Sequence, residues 1–157
     1  MHADAVHVIS DPTDVSRPTG NEQTPALSRR ALLRREVGRL RERESRRVFD
    51  ASLHVGVLGG DRTGFVLRAA DRPAMDAGLL LDVASRLVED SAPAWCTAWL
   101  VRSGVPDRHD LDLQALAAFR AAFAIHGREP DGCYALTRTG WRDLVTDEKR
   151  IWSRLRL

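Results

Sequence analysis

Residues 94–102 put apolar side chains on both sides of an extended chain. Trp95, Thr97, Trp99 and Val101 fall on one side, and Cys96, Ala98 and Leu100 on the other. Successive residues of a strand point to opposite faces, so a strand with little polar surface needs cover on both. That demand points to a sheet with helices packed against it, and the rest of the chain supplies them.

Two segments carry a helical period. In 73–90, Met75, Leu79, Val83 and Leu87 recur every four residues with Leu80 and Ala84 beside them, and Pro73 suits a first turn. In 111–126, Leu113, Leu116, Phe119 and Phe123 form a stripe, Asp110 is placed to cap it, and Gly127 stands where a left-handed residue ends a helix. Between and around them lie alternating runs. Residues 52–69 read as a hairpin, with Leu53, Val55 and Val57, then Phe65, Leu67 and Ala69, about the turn Gly59-Gly60-Asp61. Residues 133–137 read as a strand. Trp141 to Val145 and 150–157 read as a second hairpin about 146–149. With a helix at 28–48 the order is α, β, β, α, β, α, β, β, β. This predicts an α/β fold: one small domain with a mixed sheet of about five to six strands flanked by helices. The C-terminal hairpin is expected at an edge, its arginine-bearing face solvated.

The first quarter of the chain is different. Residues 1–25 are broken by Pro12, Pro18, Gly20 and Pro25 and show no periodicity, the pattern of a disordered tail. Residues 26–49 form an arginine-rich arm. Its helix, 28–48, opens on Ser28 and carries the narrow apolar stripe Leu33, Val37, Leu40 and Val48. Nine arginines face three glutamates there, a charge of +6; the net charge is +2, so the remainder carries −4. Such a helix needs something to dock on. Residues 50–157 form the globular part. Arginine outnumbers lysine 23 to 1 throughout, so arginine count by itself is a compositional habit and not an argument for nucleic acid.

Several function classes lose their signal. No window approaches the ~18 apolar residues of a membrane span, and the start resembles no secretory signal; a cytoplasmic protein without membrane contact is expected. Cys96 and Cys133 form no Cys-x-x-Cys, and no two histidines lie at i, i+4. Reduced thiols, no metal site and no cofactor are expected. The run Gly59 to Gly64 lacks the Lys-Ser/Thr and helix of a phosphate loop, because Phe65 and a strand follow. No Gly-x-Ser-x-Gly is present.

Three readings of function remain. The leading one is a non-enzymatic interaction or regulatory module whose arm meets a protein partner or a second copy, giving a homo-oligomer. The second is nucleic-acid binding, weak and confined to low salt, through Arg39, Arg43 and Arg46, which fall within about 60° on the helix, together with Arg150, Trp152, Arg154 and Arg156 of the last hairpin. The third is a small enzyme using the 107–112 loop, with His109 as general base beside Asp110 and Asp112; the same residues equally read as a loop that caps the following helix. His54, opposite Leu53 and Val55, is expected to face solvent or a partner. His126 is expected at a helix C-terminus. Trp95 and Trp99 are either core or a stacking platform.

Overall fold

All five residues of the strand Thr97–Val101 are buried, and its two faces belong to two separate apolar cores. The computed structural model describes residues 27–68, 76–92 and 96–154. Its elements are α1 (Arg29–Arg43), β1 (Ala51–Gly56), β2 (Arg62–Leu67), α2 (Ala77–Asp90), β3 (Thr97–Val101), α3 (Asp110–Ile125), β4 (Cys133–Thr137), β5 (Gly140–Asp143) and β6 (Lys149–Ile151). This is the order expected from the sequence. The expected tail, Ala69, Pro73, Met75, Trp95 and Arg156 lie outside the described residues.

The six strands form one mixed sheet in the order β2-β1-β3-β4-β5-β6. Only β3 and β4, joined through α3, are parallel; the other neighbours are antiparallel. Alternation along β3 divides the molecule into layers. Ala98 and Leu100 join the core made with α2 and α3, which includes Leu53, Val55, Leu80, Leu87, Phe119 and Phe123. Trp99 and Val101 join the opposite core with Leu33, Val37 and Leu40 of α1 and Trp141 of β5. The arm therefore docks on its own sheet, and α1 is the single described helix on that face.

Local chemistry sets most boundaries. Ser28 caps α1, its Oγ accepting the Ala31 N–H at 3.2 Å. The helix stops at Arg43, not at 48: Glu44 turns extended, and Phe49 enters the core while Val48 is 79% exposed. The apolar stripe ends at Leu40, and the chain must turn there to start β1. Asp76 caps α2, its side chain accepting the Leu79 N–H at 2.9 Å. His109, not Asp110, caps α3: its Nδ1 accepts the Leu111 N–H at 3.1 Å. Gly127 ends α3 in the left-handed region, φ 64°, and the Arg128 N–H reaches back to the Phe123 carbonyl at 2.8 Å. Gly59, φ 79°, serves the β1–β2 turn. Leu113 departs from expectation: it is 68% exposed, and Asp112, Ala115, Ala118, Phe119, Ala122 and Phe123 form the inward face of α3. The edge strand β6 is exposed along its length, as its charge pattern requires.

Candidate nucleic-acid interface

The inward residues of α1 decide what its outward residues are. Leu33, Val37 and Leu40 are buried, and so is Glu36, which follows Leu33 by three and shares its face. Glu36 accepts the Gly59 N–H at 3.0 Å and a bidentate pair from Arg62 at 2.7 and 2.8 Å. Arg39 adds a contact at 3.3 Å. One of the arm's three acids is thus withdrawn to hold the β1–β2 turn. A second, Glu44, is taken by Arg46 through three hydrogen bonds, and its carboxyl is held down at about 2 by that partner.

What remains outward is strongly basic. Arg35, Arg39 and Arg43 are exposed at i, i+4 and i+8 and form a crest, with Glu42 the exposed acid beside them. Arg30 and Arg34 flank the crest on the side of the C-terminal hairpin. Arg30 meets Glu148 at 2.7 Å. The Arg34 guanidinium lies over the Trp152 ring at 6.0 Å, a cation–π arrangement. Trp152 is half-buried against the α1 core, and its backbone N–H donates to the Thr139 carbonyl at 2.7 Å. Arg150 and Arg154 are exposed just beside it. Arm and hairpin therefore share one surface, although more than a hundred residues separate them.

The residues named from sequence fare differently. Arg43, Arg150 and Arg154 are outward, Arg39 and Arg46 are outward but tied to glutamates, and Trp152 is a packing residue that carries Arg34. Arg35 and Arg34 were missed; their signal is that they stand opposite or beside the Leu33–Val37–Leu40 stripe. That stripe, which would take a protein partner if exposed, is filled by the sheet.

The 107–112 loop is organised around Arg102. Asp112 is 2% exposed and receives Arg102 Nε and Nη2 at 2.6 and 2.8 Å. The other Arg102 bonds go to the Ser103, Val105 and Asp107 carbonyls, so this guanidinium folds the loop around itself. His109 spends Nδ1, the atom an orienting carboxylate would hold, on its cap. Asp110 is exposed. A cavity of about 310 Å³ is lined by His109 and Asp110 with Phe49, Leu67 and Leu80, and a second depression of about 460 Å³ is lined by His109, Asp110 and Asp112 together with Arg108, Arg142 and Asp147; the Asp112 carboxylate there is already taken by Arg102.

Other candidates are structural. Trp99 is wholly buried, so it is core and offers no platform. His54 departs from expectation: it lies under cover, its ring stacked on Trp99 at 5.5 Å and its Nε2 2.8 Å from Ser52 Oγ. Arg62 covers Trp99 at 5.1 Å. His126 ends α3 and meets Ser85 at 3.0 Å. Cys96 and Cys133 are free and buried, and burial pushes the Cys133 thiol up to about 12. Among the described residues no group of three His, Cys, Asp or Glu is placed to hold a metal, and no helix is long and apolar enough to cross a membrane.

The fold and this surface define a layered α/β domain in which an arginine-faced helix is the single described helix on one side of the sheet. The chain matches no protein-family model, no curated protein and no solved structure.

Proposed function

We propose that this protein binds nucleic acid through the phosphate backbone, using the outer face of α1 and the adjoining C-terminal hairpin. One observation carries the reading: α1 turns its apolar stripe and Glu36 inward and leaves Arg35, Arg39 and Arg43 outward, beside Arg30, Arg34 and Arg150. The charge asymmetry of the sequence thereby becomes a surface asymmetry. The described helices of the other layer run the opposite way: α2 holds Asp82, Glu89 and Asp90 against Arg86. Guanidinium groups bind phosphate oxygens without reading bases, so little sequence preference is expected.

Salt is the diagnostic variable, because each neutralised phosphate releases counterions and steepens the dependence of log K on log salt by about 0.9 on duplex DNA. Titration of a labelled duplex at several salt concentrations is expected to give a slope of about −3 or steeper. The triple variant Arg35→Gln, Arg43→Gln, Arg150→Gln leaves the fold-bearing arginines Arg29, Arg62 and Arg102 in place and is expected to lose about two to three units of slope. A salt-independent interaction, or an unchanged slope in the variant, overturns the reading. Binding of an acidic protein in place of nucleic acid overturns it as well.

A further inference from the structure

The arginine crest of α1 leads into a depression. Past Arg43 the chain turns extended at Glu44, and a hollow of about 460 Å³ lies between this turn and the outer strand β2. Arg43 and Arg46 line its α1 side, and Phe65 and Val66 line its β2 side. Phe65 is 46% exposed and Val66 52%. β2 is an edge of the sheet, and among the described residues no strand pairs with its outer side. Edge strands are commonly blunted by charge, as β6 is by Lys149 and Arg150. The middle of β2 carries Gly64, Phe65 and Val66 instead, and exposed Arg68 stands just beyond them.

The polar groups of the hollow balance one another. Two acids, Glu44 and Asp50, stand against Arg43 and Arg46, and Glu44 is already held by Arg46. Ser52 Oγ lies 2.8 Å from His54 Nε2. With the proton of the neutral ring on Nε2, Ser52 accepts it and has its own hydroxyl proton left to donate. The hollow is therefore no second phosphate site. Positive charge runs along the crest that leads to it, and exposed apolar surface lies within it.

A ligand that suits both parts needs a row of anions and, beside the row, flat apolar faces free to turn away from it. A double helix offers the row but keeps its bases paired and stacked inside. A single strand offers both. Its phosphates can follow Arg35, Arg39 and Arg43, which span about 12 Å, and the next base can enter the hollow. There it meets Phe65 and Val66 on one side and the flat Arg43 guanidinium on the other, groups on which bases stack whatever their sequence. The volume falls within the ~300–1,000 Å³ of small-ligand sites.

We propose that the nucleic acid this protein binds is single-stranded, with one base lodged between Arg43 and the Phe65–Val66 edge of β2. The inference rests on the phosphate-binding reading of α1 and adds to it the state of the strand.

Fluorescence anisotropy tests it, with labelled oligothymidylate and oligouridylate of about a dozen nucleotides and a duplex of equal length, all at one low salt concentration. The tighter of the two single strands is expected to bind about tenfold better than the duplex, and the difference between the two shows whether the sugar hydroxyl is read. The double variant Phe65→Ser, Val66→Ser changes no charge. It is expected to lose that advantage while duplex affinity and salt slope stay native. Both positions are exposed, so circular dichroism is expected to stay native as well. A second measurement needs no variant: a strand carrying 5-iodouracil, irradiated on the native chain, is expected to cross-link within the tryptic peptide Thr63–Arg68, which holds Phe65. Equal affinity for strand and duplex with a steep salt slope overturns this inference and leaves the phosphate reading standing. A variant that weakens strand and duplex alike, or a cross-link confined to α1, overturns it too. Failure of both strand and duplex to bind overturns the two readings together.

Discussion

Glu36 of α1 and Arg62 of β2 are joined by two hydrogen bonds, Arg62 Nη1 to Oε2 at 2.7 Å and Nη2 to Oε1 at 2.8 Å. Glu36 is 3% exposed. This pair clamps the β1–β2 turn to the helix that carries the arginine crest, and the Gly59 N–H completes it. Removing one partner of a buried pair leaves the other uncompensated. Glu36→Ala is expected to destabilise by roughly 3 kcal/mol, with Glu36→Gln falling between it and the native chain. Burial alone would raise the Glu36 pKa; the Arg62 hydrogen bonds and charge, then Gly59 and Arg39, outweigh it and lower it. A lowered carboxyl pKa gives stability that is present above the unfolded value and lost as pH falls through the folded one. Urea titrations of the native chain and Glu36→Ala should therefore converge on acidification below the ordinary carboxylate range. A loss below ~1 kcal/mol at neutral pH would mean that the clamp is only a surface contact.

The two aspartates at the start of α3 should separate cleanly. Asp112 is buried against Arg102, and Asp110 is exposed. Asp112→Asn is expected to destabilise by about 3–5 kcal/mol, because the buried Arg102 charge would be left with neutral acceptors only. Asp110→Asn is expected to stay within about 0.5 kcal/mol. Equal effects in denaturant unfolding would contradict the division of roles.

Three leucines form a graded series. Leu80 is 2% exposed, Leu116 is partly buried and Leu113 is 68% exposed. Leu80→Ala is expected to cost about 2–5 kcal/mol through lost transfer energy and a cavity. Leu116→Ala should fall near the lower end, and Leu113→Ala within about 0.5 kcal/mol. A large effect at Leu113 would place the wrong face of α3 inward.

That series also shows where the sequence was legible. The central strands were, because two-residue alternation admits one reading: β4 falls at 133–137 as expected, and β3 is covered on both faces; the last hairpin was not, since its strands are Gly140–Asp143 and Lys149–Ile151 where 141–145 and 150–157 were expected. The face of α3 was not. A helix with few polar residues and many alanines has no unique stripe, so Leu113, Leu116, Phe119 and Phe123 fit a period without fixing what faces in. The end of α1 was obscured because Arg46 and Arg47 are good helix formers, while the turn is imposed by Phe49 entering the core. The crest could have been read from its opposite, since Arg35 and Arg39 stand across from the Leu33–Val37 stripe. The Arg102–Asp112 pair could not: it forms only because the end of β3 and the start of α3 meet in space.

The imidazole of His54 gives the sharpest test of the α1 side of the sheet. It lies between Trp99, on which it stacks, and Gly64, where an added Cβ would stand 2.7 Å from Nδ1. Burial, with the charges of Arg62 and Arg43 and against that of Glu36, lowers its pKa from 6.5 to about 4. The ring is neutral at pH 7, and one tautomer is favoured. Nδ1 has no hydrogen-bond partner among the described residues, and nearby guanidinium groups favour a lone pair there over an N–H. The proton is then expected on Nε2, donated to Ser52 Oγ, which lies 2.8 Å away. In the unfolded chain the same ring protonates near 6.5, so lowering the pH stabilises the unfolded state first. Stability is full above that pH and is expected to fall by roughly 3 kcal/mol towards pH 4. Nuclear magnetic resonance of the ring nitrogens separates this from the acid loss at Glu36. The expected spectrum is a neutral Nε2–H imidazole that persists below pH 5. Titration of His54 near pH 6.5 in the folded protein would mean that the ring is solvated and that the packing of β1 against β2 and β3 is looser than described.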